Sequence, residues 1–118
     1  MASHNELGKI GEKIAAEFLR KKNYKLLHHN WRHKKHEIDL IALDKELLVF
    51  IEVKTRSSHR YGFPDESVGA KKEKILIEAA EIFLENSDLY LETRFDIISV
   101  IKNQKTEKVY HIIDAFRG

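Results

Sequence analysis

The sequence predicts an α/β domain, a mixed central β-sheet flanked by helices in the order helix, three strands, helix, two strands. Three observations carry this. Apolar residues recur at helical spacing over residues 4–22 and 67–85. Runs rich in Ile, Val, Leu and Phe, of strand length, occupy 37–43 and 48–54 with a charged turn between them, and two more lie at 93–101 and 109–116. The chain has 118 residues, enough for one buried core and too few for two, so 1–118 is read as a single domain.

The first helix follows Ser3-His4-Asn5-Glu6, which has the spacing of a capping box, and runs to about Lys22. Ile10, Ile14 and Phe18, with Ala15 and Leu19 beside them, are its expected buried stripe, and Gly8 and Gly11 suggest close backbone packing near its start. Glu12 precedes Ala16 and Leu19 at helical spacing, at the margin of the apolar face. It is either a surface acid favoured by the helix dipole or a carboxylate turned into a site. A first strand is expected from Tyr24 to about Arg32. The loop Arg32-His33-Lys34-Lys35-His36 then leads into the central hairpin. His33 and His36 alone are weak support for zinc, because no cysteine or further spaced histidine completes a ligand set.

After Lys54 comes a surface loop, Ser57 to Asp65, containing the one proline. The second helix runs from roughly Ser67 to Glu85 on a stripe of Ile75, Leu76, Ala79, Ala80, Ile82 and Phe83. One turn earlier this stripe ends in Lys71 and Lys72, which either snorkel over the core edge or face a phosphate. Strands Thr93–Ile101 and Val109–Phe116, joined by Asn103-Gln104-Lys105, close the chain. Arg94 and Asp96 share a face of the first and could pair at the sheet edge.

Composition narrows the function. With 42% hydrophobic and 34% charged residues the chain looks soluble, and no apolar run approaches membrane-spanning length. The first residues lack the build of a secretory signal, so a cytoplasmic location is expected. Without cysteine there is no disulfide or thiolate chemistry, and any metal must be held by oxygen or histidine nitrogen. The net charge of +2 names no partner. From Arg20 to His36, however, there is no acid among seven Lys and Arg side chains and four His, with Tyr24 and Trp31 interleaved. This is either a phosphate-backbone surface or a solvated helix end and loop.

The central hairpin holds the sharpest signal. Side chains alternate across a strand, so Glu37 and Asp39 share one face, as do Glu52 and Lys54. A loop of Lys45-Glu46, or of the four residues from Asp44 to Leu47, sets Asp39 opposite Glu52 and Glu37 opposite Lys54. A loop of three or five separates them. In the first register two carboxylates become cross-strand neighbours, roughly 5 Å apart at Cβ, which is costly unless a cation lies between them. Magnesium is usually held by one or two carboxylates with water and phosphate completing its shell, and phosphodiester hydrolysis uses such an ion together with a lysine. The plainer alternative is an ion pair of Glu52 or Glu37 with Lys54 on a solvated face, although Leu48 and Phe50 share that face.

Asp39 followed by Glu52-Val53-Lys54 resembles the D-(E/D)-x-K signature of the PD-(D/E)XK nuclease superfamily. Gly11-Glu12, Asn30-Trp31-Arg32, Glu37-Ile38-Asp39-Leu40-Ile41, Phe50-Ile51-Glu52-Val53-Lys54-Thr55-Arg56, Lys71 or Lys72, and Arg94-Phe95-Asp96 look like the YraN-type family of small bacterial proteins, similar in fold to archaeal Holliday junction resolvases. The resemblance covers nearly the whole chain. It implies a restriction endonuclease-like fold and an Mg2+- or Mn2+-dependent endonuclease acting on DNA, branched or otherwise structured. Asp39, Glu52, Glu12 and the Val53 carbonyl would be the metal ligands, with Lys54 positioning or activating the attacking water and Glu37 standing behind the ligands. Arg32, Lys34, Lys35, Arg56, Lys71 and Lys72 would be the nucleic-acid contacts, and a homodimer is compatible with this reading. His36 departs from the pattern, since relatives commonly carry glycine there. That bears on the shape of the approach to the strand and leaves the ligands untouched. Two other readings stay open: a nucleic-acid-binding module that no longer cuts, and a protein-interaction subunit whose acidic cluster is incidental.

Overall fold

Two-residue turns set the register of the first half of the sheet. The computed structural model describes residues 4–58 and 69–118. Its elements are α1 (His4–Lys21), β1 (Lys25–His33), β2 (His36–Asp44), β3 (Leu47–Arg56), α2 (Ala70–Glu85), β4 (Thr93–Lys102) and β5 (Glu107–Phe116). Lys34 and Lys45 each take a left-handed φ, 55° and 57°, in the tight turns that pair His33 with His36 and Asp44 with Leu47. No positive φ falls on His36, so nothing in the backbone there asks for glycine. The sheet order is β1-β2-β3-β4-β5, with β3 and β4 parallel and the other neighbours antiparallel. This is the mixed sheet and the element order that the periodicity predicts. Ser3 of the expected capping box, most of the loop from Ser57 to Asp65 and the expected start of the second helix at Ser67 lie outside the described residues.

Both faces of the sheet are covered. Leu40, Ala42, Val49, Ile51, Ile98 and Val100 pack against Ala15, Ala16 and Leu19 of α1. Ile41, Leu48, Phe50 and Phe95 pack against Leu76, Ala79, Ala80 and Phe83 of α2 on the other face. Fully burying each of these larger side chains contributes on the order of 1.5–3 kcal/mol.

The buried stripes are narrower than expected, and rotated. On α1 the innermost line is Gly11, Ala15, Ala16 and Leu19, while Ile14 and Phe18 flank it and Ile10 is exposed. Small residues win that line because they let the helix axis approach the sheet. A Cβ on Gly11 would overlap the Thr55 side chain, 2.7 Å from Cγ2 and 2.8 Å from Cβ. Gly8 meets nothing within 4 Å, so close packing explains only one of the two glycines. On α2 the line is Leu76, Ala79, Ala80 and Phe83, leaving Ile75 exposed.

Chain direction collects the functional candidates. The start of β2, the end of β3 and the first turns of both helices all fall at one end of the sheet, because α1 and α2 each run away from it.

Candidate functional site

The register of β2 on β3 runs Asp44↔Leu47 through Leu40↔Ile51, and one step further sets Asp39 across from Glu52. This is the arrangement that a two-residue loop requires. The regular ladder stops at Leu40, and β1, on the far side of β2, is irregular at the same level. Asn30 has φ 49°, a left-handed conformation that Asn tolerates better than most residues, and by the β1–β2 register it sits opposite Asp39. Strict alternation fails there. His29 reaches Arg20 on α1 and Leu40 packs under α1, yet the next pair, Trp31 and Ile38, belongs to the α2 core. In the split beyond Leu40, the Asp39 carboxylate accepts the Val53 backbone N–H at 2.8 Å. Irregularities of this kind re-aim side chains beside active sites.

The carboxyl in the split lies between two sets of charges. Toward α2 are Glu52, and Lys72 whose Nζ is 3.5 Å from Glu52 Oε1. Both lysines are exposed, but Lys72 is four residues before buried Leu76 and so continues the inward line, whereas Lys71 precedes exposed Ile75. Toward α1, Glu12, Asn30, Arg32, Glu37, Asp39, Val53 and Thr55 line an open cleft of about 630 Å³. Glu12 is three and four residues before Ala15 and Ala16, so α1 also delivers a charged group at the N-terminal prolongation of its buried line. There it bonds the Asn30 side chain.

Too many acids share too little water. Burial first, then the nearby Asp39, pushes the Glu52 carboxyl up to about 7 against the opposing pull of Lys72 and Lys54. Burial likewise raises Asp39, with Glu37 adding to it and the Val53 N–H and Lys72 opposing. Glu12 is raised by burial and then by Asp39 and Glu37. Among the described residues no three Asp, Glu or His side chains converge into a ready-made metal cage. The donor set fits a hard ion that needs two carboxylates and fills its remaining positions with carbonyl and water oxygens, as Mg2+ and Mn2+ do. Zinc held by His33 and His36 is not supported. Those residues close the β1–β2 hairpin, where His33 stacks on Trp31 and His36 lies 3.5 Å from Glu78.

Glu37 pairs with Arg32 of β1, their charged groups 3.5 Å apart, and acts on Asp39 beside it, while the regular β2–β3 ladder ends at Leu40, short of the level where Glu37 would meet Lys54. Of the basic candidates, Arg32 lines the α1-side cleft, Lys34 and Lys35 are exposed at the β1–β2 tip, and Arg56 ends β3. All stand at the same end of the sheet as Asp39. Asn30 is the residue whose role sequence reasoning missed. Only its odd position in a strand-forming run could have signalled a special backbone conformation.

Arg94 and Asp96 do pair, through bonds of 2.8 Å from Nε and from Nη2, but β4 is an interior strand and Asp96 is fully buried. They are not at an edge. The same aspartate accepts the Asp114 N–H at 3.0 Å and lies 2.7 Å from His111 Nε2, while Arg94 also reaches Tyr24 and Asp44. Every member of this network has a partner.

Residues 11–100 match the family described as uncharacterised protein family UPF0102. A UPF0102 protein of Flavobacterium psychrophilum is 48% identical over 116 residues, spanning 98% of each chain. One of Christiangramia forsetii is 47% identical over 116 residues, again 98% of each. One of Caldanaerobacter subterraneus subsp. tengcongensis is 46% identical over 114 residues, 93% of each. Asp39, Glu52, Lys54 and Lys72 all fall within the matched span, and the chain belongs to the UPF0102, or YraN, family.

Proposed function

We propose that the protein is a metal-dependent endonuclease that hydrolyses phosphodiester bonds in DNA. The observation that carries this is the pair Asp39 and Glu52, set across from one another at the split between β2 and β3 with Lys54 and Lys72 on the same side as Glu52. Half-buried acids set close enough to repel one another are a poor structural device and a good cation site. Asp39 and Glu52 supply the oxygen ligands. The Val53 backbone, already tied to Asp39 through its N–H, is the next donor in reach. A bound Mg2+ or Mn2+ supplies charge neutralisation at the phosphoryl group and a more acidic water. Lys54 holds the attacking water and stabilises charge that develops on the phosphate. Glu12, raised by burial and then by Asp39 and Glu37, shapes the field from the α1 side and exchanges a proton with water in the cleft. Arg32, Lys34, Lys35 and Arg56 stand where a nucleic-acid backbone crossing this end of the sheet would run.

The test is incubation of pure protein with branched, single-stranded and duplex DNA and with RNA, in Mg2+, Mn2+ or chelator. DNA cleavage that needs the ion and falls at least about 10³-fold in Asp39→Ala supports the reading. Cutting that persists in Asp39→Ala is a contaminant's, and absence of any cutting beside salt-dependent DNA binding would favour a binding module instead.

A further inference from the structure

Lys72 is poorly placed for a residue that serves phosphate alone. Its ammonium lies 3.5 Å from Glu52 Oε1 and acts on Asp39 as well, so it already offsets the charge of the acid pair that a cation would neutralise. The Glu52 side chain is 15% exposed and the Lys72 side chain 51%. The acid is fixed in the site and the lysine reaches it from solvent, on a long stem free to swing away. We propose that Lys72 is a stand-in counter-ion, which neutralises Asp39 and Glu52 until a divalent ion displaces it and which is thereby released to bind the substrate's phosphate. This rests on the endonuclease reading and adds an order of events to it: the ion enters first and DNA binding is strengthened by it. The coupling has a simple origin. A single ammonium cannot neutralise the acid pair and a phosphate at once, so occupancy of the site by a divalent ion creates a free cation beside the substrate. Lys71, one residue away on the exposed side of α2, has no part in it.

The experiment titrates Mn2+ against wild-type protein, Lys72→Met, Lys71→Met and Glu52→Gln, following the signal of free Mn2+ by electron paramagnetic resonance. Lys72→Met, having lost the competitor, should bind Mn2+ about three- to tenfold more tightly than wild type, while Lys71→Met should not change. Binding of duplex DNA should show the converse. Lys72→Met equals wild type in chelator and is about threefold weaker with Ca2+ present, the recovered DNA being checked for cuts. Unchanged or weaker Mn2+ binding by Lys72→Met, or equal tightening in Lys71→Met, overturns the proposal while leaving the metal reading intact if Glu52→Gln abolishes binding. No Mn2+ binding by any of the proteins overturns the metal reading and this proposal with it.

Discussion

Glu52 and Asp96 lie on adjacent parallel strands, one residue out of step, and both are withdrawn from water. Their surroundings treat them in opposite ways. Burial by itself would push Asp96 up, but hydrogen bonds from His111, Arg94 and the Asp114 N–H outweigh it and hold the carboxyl below its usual range. Lys22 Nζ lies 2.8 Å from His111 Nδ1, and because an ammonium can only donate, that nitrogen accepts and Nε2 carries the proton given to Asp96. This group of charges is closed. Glu52 has one ammonium at 3.5 Å and a second carboxylate as neighbour, and its carboxyl rises to about 7. A satisfied network fixes the α1–β1 turn, through Tyr24 and Lys22, to β4 and β5. Around the less deeply buried Glu52 the carboxyls are left short of donors and cations.

Three measurements would sharpen or break that contrast. The largest effect is expected from Asp96→Ala, which strands Arg94 and His111 and should lower stability by about 3–5 kcal/mol in denaturant unfolding. Glu52→Gln, which relieves repulsion, should leave stability at pH 8 unchanged or raised. Equal loss in both variants would show that the two clusters are alike.

The next effect is in pH. Glu52 titrates from an ordinary 4.5 when unfolded to about 7 when folded, so the native state favours its protonated form. The stability it lends is full below the ordinary value and is lost as pH rises through about 7. Asp96 has the opposite sign: its contribution is present above the ordinary carboxylate range and disappears as pH falls through its lowered folded value. The melting temperature of metal-free protein should therefore drop by a few degrees between pH 5 and 8. Mn2+ should restore it at pH 8 and not at pH 5, since a ligand of the ionised form stabilises by mass action only where that form exists. A flat profile, or equal rescue at both pH values, would contradict the picture of Glu52.

The smallest effect concerns the outer edge of the site. Lys34→Ala with Lys35→Ala should leave melting unchanged and reduce the salt dependence of DNA binding by about one unit of slope for each lysine. An unchanged slope would remove the β1–β2 tip from the proposed nucleic-acid surface.

Much of this was legible in the sequence, for identifiable reasons. Period-2 and period-3.6 patterns depend on which residues avoid water, so the elements and the mixed sheet followed from them. The facing of Asp39 and Glu52 followed from loop length, because a two-residue turn leaves only one register. The rotation of both helices did not follow. A large apolar side chain such as Ile10 or Ile75 reads as core, but the line that touches the sheet is chosen by how closely two backbones can approach, and Gly11 against Thr55 decides it. The same rotation picks Lys72 over Lys71. The left-handed angle at Asn30 was equally hidden, since it is a property of the backbone, and so was the pairing of Glu37 with Arg32.

The sequence by itself determined which acids and amines this protein carries, the order of its strands and helices, and the single turn that brings Asp39 to Glu52. Only the tertiary structure decided which of those charges are closely paired and which are left facing like charges. That outcome depends on distances between side chains far apart in the chain, and a carboxylate's behaviour is set by the donors and charges within a few ångströms of it, whatever its place in the sequence.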